Sequence, residues 1–227
     1  LRGWREKFGG SPLKPAHECH DLIEMWDELN FQTWSPDLKI IVTGKGRVSG
    51  GAVETLLAAG IKECSTEAFV SGVSGPVWTQ LDAEDYYASG NGEPFSKKQL
   101  YKDPSTFVSK FMDYAPHGGL FIAGHYYDAR APFIYSRKDA RSRDFKIKYV
   151  ADVSCDIDGP VASTLRSSTI EDPFYGYDTI KETVVDHLDP SAIGVMAVDN
   201  LPCKLPRDAS LSFGTDLLKE VLPALFN

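Results

Sequence analysis

L-K-I-I-V-T-G-K-G-R-V-S-G-G-A, residues 38–52, reads as a buried strand, a glycine-rich turn and the start of a helix. Leu38, Ile40, Ile41 and Val42 form a short apolar run rich in β-branched side chains, the composition of a strand covered on both faces. Gly44, Gly46 and Gly50 follow directly, where a side chain would block the close approach of a pyrophosphate. The helix behind them aims its free N–H groups at phosphate oxygens. Its inward face is expected at Val48, Ala52, Leu56 and Ala59, with Gly60 ending the segment. A glycine fingerprint alone is a weak signal, but strand, turn and helix here supply the context that dinucleotide binding requires.

Working outward, residues 18–30 carry Leu22, Met25, Trp26 and Leu29 on one helical face, the pattern of a lead-in helix beside the sheet. P-V-W-T-Q-L-D, residues 76–82, reads as a second strand ending in an acid. Asp82 is the ribose candidate: a carboxylate there accepts hydrogen bonds from the adenosine ribose hydroxyls and repels a 2′-phosphate, favouring NAD over NADP. Residues 83–118 are polar and turn-rich, an excursion with an expected helical stretch around Phe107 to Tyr114. Gly119 to Gly124 and Phe145 to Val153 are a third and fourth strand, and a last one runs from Ile193 to Val198. In open parallel sheets ligands sit beyond the carboxyl ends of the strands. His125, Asp128, Asp152 and the S-C-D-I-D-G loop are therefore expected at one crevice. Leu211, Leu217, Leu218, Val221 and Leu222 cluster at helical spacing, which predicts a closing helix packed on a neighbouring element. The fold class is α/β, a Rossmann-like, doubly wound, mostly parallel sheet with flanking helices.

A chain of 227 residues can bury a substantial core, although two full domains would be tight. Its net charge of -8 and the lack of any basic run argue against binding a phosphate backbone, so no nucleic-acid partner is expected. Cys19, Cys64, Cys155 and Cys203 are far apart and form no C-x-x-C pair, which suits reduced thiols in a cytoplasm better than zinc or a disulfide framework. No apolar stretch approaches the length of a membrane span, so no membrane partner is expected. The chain opens on Leu1 with L-R-G-W-R-E-K-F-G-G, the look of a helix entered from upstream and of a piece excised from a longer protein.

Other constellations are weaker. His17 and His20 have a spacing that holds a metal on a helix, but without a third ligand nearby a solvated surface is the better reading. His125 with Tyr126, Tyr127 and Asp128 suits acid–base work and core closure equally. Asp152, Asp156 and Asp158 fit a strand end opening into a glycine turn better than a metal site. There is neither a G-x-S-x-G elbow nor the Gly-Lys-Ser/Thr of a P-loop.

The most specific segment is V-D-N-L-P-C-K-L-P-R-D-A-S, residues 198–210, followed by Phe213 and Asp216 to Leu218. It resembles the stretch after the last Rossmann strand in lysine-forming saccharopine dehydrogenases and lysine-ketoglutarate reductases. A shorter N-x-P-x-x-x-P-R form occurs in alanine dehydrogenases and the matching transhydrogenase domain. G-K-G-R-V-S-G-G-A resembles that family's G-x-G-R-x-x-x-G turn, A-P-F at 131–133 its post-strand segment, and V-A-D-V-S-C-D at 150–156 its strand end. Residues 163–169 and 172–178 are similar to the bacterial and bifunctional-enzyme branch.

The resemblance implies the NAD(P)-binding domain of an amino-acid oxidoreductase that moves a hydride between nicotinamide and a C–N centre of a small amino-acid or keto-acid substrate. Gly44, Gly46, Arg47, Val48 and Gly50 would then surround the pyrophosphate, Asp82 would meet the adenosine ribose, and Asp199, Asn200 and Leu201 would lie at the nicotinamide. Catalytic residues are expected on a second domain outside this chain. The implied division is a lead-in helical segment at 1–36, the dinucleotide domain at 37–206 and a helix at 207–227 returning toward that second domain. Ser49 stands where a third glycine is common and Gly50 one place later, a variant also found with NADP, so Asp82 alone carries the preference for NAD. A non-catalytic nucleotide-binding module for regulation or assembly is the alternative. A methyltransferase ranks below both, because it leaves the N-L-P-C-K-L-P-R segment unexplained.

Overall fold

The computed structural model describes residues 1–226; the expected closing helix ends at Asn227, which lies outside them. Ten strands are described: β1 (Lys39–Thr43), β2 (Lys62–Glu63), β3 (Val77–Leu81), β4 (Tyr87–Ser89), β5 (Phe107–Ser109), β6 (Leu120–Ala123), β7 (Tyr149–Asp152), β8 (Tyr175–Asp178), β9 (Thr183–Val185) and β10 (Ile193–Met196). Eight form one sheet in the order β2-β3-β1-β6-β7-β10-β8-β9, while β4 and β5 pair separately as an antiparallel hairpin. From β2 to β10 every pairing is parallel; β8 and β9 add an antiparallel edge. This is the α/β, mostly parallel architecture expected from the sequence.

The unbroken apolar run of β1 follows from its central place, with a parallel neighbour on each side. Alternate side chains enter different cores. Ile40 and Val42 join Leu29, Leu56, Trp78 and Leu120 on one face, whereas Ile41 joins Leu81, Phe111, Phe121 and Val150 on the other. The first face is covered by helices α1 (Arg2–Phe8), α2 (Leu22–Asn30) and α3 (Arg47–Ala58). Asp21 caps α2 through the Glu24 N–H, and Trp34 donates from Nε1 to the Ala59 carbonyl at 2.7 Å, pinning the lead-in segment to the end of α3. The opposite face carries α4 (Thr66–Ser71) and the excursion between β3 and β6, which contains α5 (Ala83–Tyr86) and α6 (Lys97–Lys102).

Three expectations need correction. Val48 does not face inward: it is 55% exposed, and Ser49 takes the buried position in the first turn of α3, with Leu56 and Ala59 continuing that face. Phe107 to Tyr114 is not a helix. Phe107 to Ser109 pairs with β4, because the alternation of buried Phe107 with exposed Val108 fits a half-covered hairpin, and only a 3-10 turn follows at Phe111–Asp113. The closing stretch is helical from Pro206 to Phe226, including a π turn over Leu217–Val221, but most of its apolar side chains are left exposed among the described residues: Leu211 and Phe213 are each 70% exposed, and of its leucines only Leu217 and Leu222 are partly covered.

No described helix is long and apolar enough to cross a membrane, and all four cysteines are free thiols. Leu56→Ala is expected to cost about 2–5 kcal/mol in urea-induced unfolding, because a fully buried side chain leaves a cavity between α3 and the sheet. The neighbouring exposed Leu57→Ala should stay within about 0.5 kcal/mol of the parent protein.

Candidate nucleotide-binding cleft

The strand order turns around at β1 and β6: β3 and β2 extend the sheet on one side, and β7 and β10 on the other. A cleft of about 950 Å³ opens at the carboxyl ends of these strands. Its floor is the glycine turn from Gly44 to Val48. One wall comes from Asp82, Ala83 and the excursion residues Lys97, Leu100 and Tyr101, and the other from Gly124 to Asp128 with Ser154 and Asp156.

Gly44 lines the cleft, and packing requires a glycine there. Its φ is +92°, and a Cβ there would lie 2.8 Å from the Gly124 carbonyl oxygen and 2.9 Å from the His125 Cα. Its N–H donates to the Leu81 carbonyl, and Gln80 donates from Nε2 to the Gly44 carbonyl, so β3 holds the turn from the side. Gly46 also lines the cleft, but a Cβ there meets open space, the volume a ligand would take. Gly50 lies one turn into α3, outside the cleft lining. The close approach of helix and sheet is made by Gly124, where a Cβ would lie 3.0 Å from the Ser49 Cα. A serine can stand where a third glycine is common because the missing side chain is on the strand side.

Gly46 caps α3 without a side-chain hydrogen bond, and no acidic residue occupies the first turn. The free N–H groups there, beside Lys45 and Arg47, make an anion-favouring corner. Asp82 sits at the carboxyl end of β3 as the N-cap of α5, in a capping box with Asp85. Ala83 N–H donates to its Oδ1 at 2.7 Å and Lys97 Nζ lies 3.4 Å from the same oxygen. Partial burial opposes ionisation, but the Ala83 bond and the charges of Lys97 and Lys45 outweigh it and hold the carboxyl below its usual range.

His125 lies two residues beyond β6 and is only 7% exposed. Its Nδ1 lies 2.7 Å from Thr43 Oγ1, whereas Nε2 is buried without a partner. Burial lowers its pKa to about 4, so the ring is neutral near pH 7 and carries a single N–H. Of the acids expected at the crevice, Asp128 and Asp156 line it. Asp128 is fastened by Arg130, whose side-chain hydrogen bond brings its pKa to about 2. Asp152 does not line it: fully buried, it accepts from Ser154 and from Thr164 Oγ1, tying the post-strand loop to residue 164, and burial raises its pKa.

Asp199, Asn200 and Leu201 follow β10 at the same sheet edge but outside the cleft lining. Asp199 lies close enough to Cys155 to help raise its thiol pKa, after burial, Asp152 and Asp156. Among the described residues no cluster of three or more His, Cys, Asp or Glu side chains is placed to hold a metal ion; His20 instead contacts Asp21. Sequence reasoning missed the excursion wall, because Lys97, Leu100 and Tyr101 reach the cleft only through the β4–β5 fold-back.

No family model matches the chain. It is 27% identical over 203 residues to alpha-aminoadipic semialdehyde synthase, mitochondrial, of Rattus norvegicus and to that of Bos taurus, covering 78% of this chain and 22% of each relative. Alpha-aminoadipic semialdehyde synthase of Arabidopsis thaliana is likewise 27% identical, over 211 residues, 83% of this chain and 20% of the relative. The chain thus spans about a fifth of the length of the curated relatives it matches.

Two outcomes follow from the cleft. Gly44→Ala should lower the unfolding free energy by at least about 2 kcal/mol, since a positive φ and a backbone clash add. Gly46→Ala should melt like the parent, and urea curves of the two variants separate the roles. Because His125 binds its proton more weakly when folded, with a pKa of about 4 against 6.5, its contribution is complete above pH 6.5 and is lost as pH falls toward 4. Comparing urea unfolding near pH 7.5 and near pH 4.5, the parent should lose about 2–3 kcal/mol more than His125→Gln, at roughly 1.4 kcal/mol per pKa unit.

Proposed function

We propose that this relative of the alpha-aminoadipic semialdehyde synthases is the NAD(P)-binding part of an amino-acid oxidoreductase of lysine metabolism, in the saccharopine dehydrogenase and lysine-ketoglutarate reductase line. The observation that carries the reading is the convergence, in one cleft at the strand switch, of an uncapped α3 N-terminus, an open Gly46 and a carboxylate at the end of the adjacent strand.

The residues present fit a dinucleotide. Gly46, Arg47 and Val48 would hold the pyrophosphate with the free N–H groups of α3, and Asp82 would meet the adenosine ribose. Lys97 and Lys45 flank Asp82, so a 2′-phosphate would meet positive charge as well as the carboxylate, and NADP stays beside NAD as a ligand. Asp199, Asn200 and Leu201 would approach the nicotinamide from β10. The bound cofactor supplies hydride transfer to or from the carbon bearing nitrogen. This chain's task is to fix the cofactor's orientation and shield it from water, while proton transfer at the substrate falls to a segment outside residues 1–227. Acting alone, the chain binds the dinucleotide and turns nothing over.

Calorimetric titration of the chain with NADH and with NADPH tests this. At least one should bind, and Asp82→Ala should weaken NADH about tenfold, the loss of one charged hydrogen bond to a ribose hydroxyl. Absence of binding by either coenzyme would overturn the reading. A longer protein containing this chain that binds but oxidises neither saccharopine nor alanine, and reduces no keto acid with lysine, would support a non-catalytic nucleotide-binding module instead.

A further inference from the structure

Resting on the dinucleotide reading and deepening it, we propose that His125 is a positioning residue for the pyrophosphate, donating from Nε2 to a phosphate oxygen while Thr43 fixes Nδ1. The residue stands where the sheet changes direction. Its backbone is so close to the glycine turn that a Cβ on Gly44 would fall 2.9 Å from its Cα, and the preceding Gly124 touches Ser49 in the first turn of α3. The ring is therefore anchored beside the corner where the α3 N–H groups are free and Lys45 and Arg47 supply positive charge.

Buried ring nitrogens are as a rule hydrogen-bonded; here Nδ1 has a partner, and Nε2 is buried without any in a residue that also lines the cleft. Such a nitrogen in a residue that lines an open cleft is completed by the ligand. The tautomer follows from Thr43. Its hydroxyl has one proton to give, and the Nδ1 atom at 2.7 Å is a better acceptor than the Ile122 carbonyl at 3.5 Å. With Nδ1 accepting, the ring proton is on Nε2, which is a donor and suits an anion. The neutral ring adds direction to a site whose charge comes from other residues. Nε2 is shielded from solvent before binding; the Tyr86 ring lies beside the imidazole, 5.8 Å away between ring centres and tilted by 53°, and moves aside to let phosphate reach Nε2 while Thr43 holds Nδ1.

Nitrogen NMR on the unaltered chain reads the tautomer directly. Nε2 should carry the proton, and its resonance should shift on adding ADP and much less on adding AMP, which lacks the second phosphate. In calorimetric titrations His125→Phe, which keeps volume and removes the donor, should weaken ADP and NADH by about tenfold or more and AMP by less than about threefold. His125→Gln, whose amide reaches the Nε2 position, should restore most of that loss. A proton on Nδ1, an unchanged affinity of His125→Phe for ADP, or an equal loss for AMP would each overturn the role of His125 while leaving the dinucleotide site standing. Failure of the unaltered chain to bind ADP, NADH or NADPH would overturn both.

Discussion

The contact between the glycine turn after β1 and the end of β6 sets the geometry on which the rest of the cleft depends. Gly44, with its positive φ, lies against the Gly124 carbonyl and the His125 backbone, and Gly124 in turn lies against Ser49. Side chains at Gly44 or Gly124 would push α3 away from the sheet, and with it the free N–H groups that make the anion-favouring corner. Hydrogen bonds from Gln80 to Gly44 and between Thr43 and His125 fasten the same junction from both neighbouring strands. The turn is held by three strands at once, so its backbone is preorganised before any ligand arrives.

Charge is distributed locally rather than globally. The chain carries a net charge of -8, yet Lys45, Arg47 and Lys97 surround the cleft floor. The potential that a bound group meets is set by charges within about a Debye length, so an acidic protein can present a cationic corner. Asp82 illustrates the balance: the capping box fixes it, two lysines keep it ionised, and partial burial limits screening. The excursion between β3 and β6 builds this balance by folding α6 back so that Lys97 reaches Asp82.

The same backbone chemistry explains the loop beyond β7. Buried Asp152 accepts from Ser154 and Thr164, anchoring a turn in which Cys155 and Asp158 adopt positive φ. The anchor leaves Ser154 and Asp156 at the cleft while Asp152 itself is withdrawn. Three acids that look equivalent in the sequence are thereby given different surroundings.

Residues 38–60 determined their own structure: an apolar β-branched run, a glycine turn and a helix ended by Gly60 all express local preferences that neighbours reinforce. The strand ends before Asp82 and His125 were also legible, because short buried strands are bounded by polar residues. What tertiary structure alone decided is which side of each element is covered. Val48 and Ser49 are adjacent and both suit a helix, and only the close approach of Gly124 buries the serine and exposes the valine. Phe107 to Tyr114 has the apolar content of a helix, and pairing with β4 makes Phe107–Ser109 a strand, with a 3-10 turn after it. The leucines after Pro206 follow helical spacing as expected, but spacing defines a face without supplying a partner, and among the described residues Leu211, Phe213 and Leu218 remain uncovered. Periodicity is encoded along the chain, whereas burial depends on what another part of the chain brings to that face.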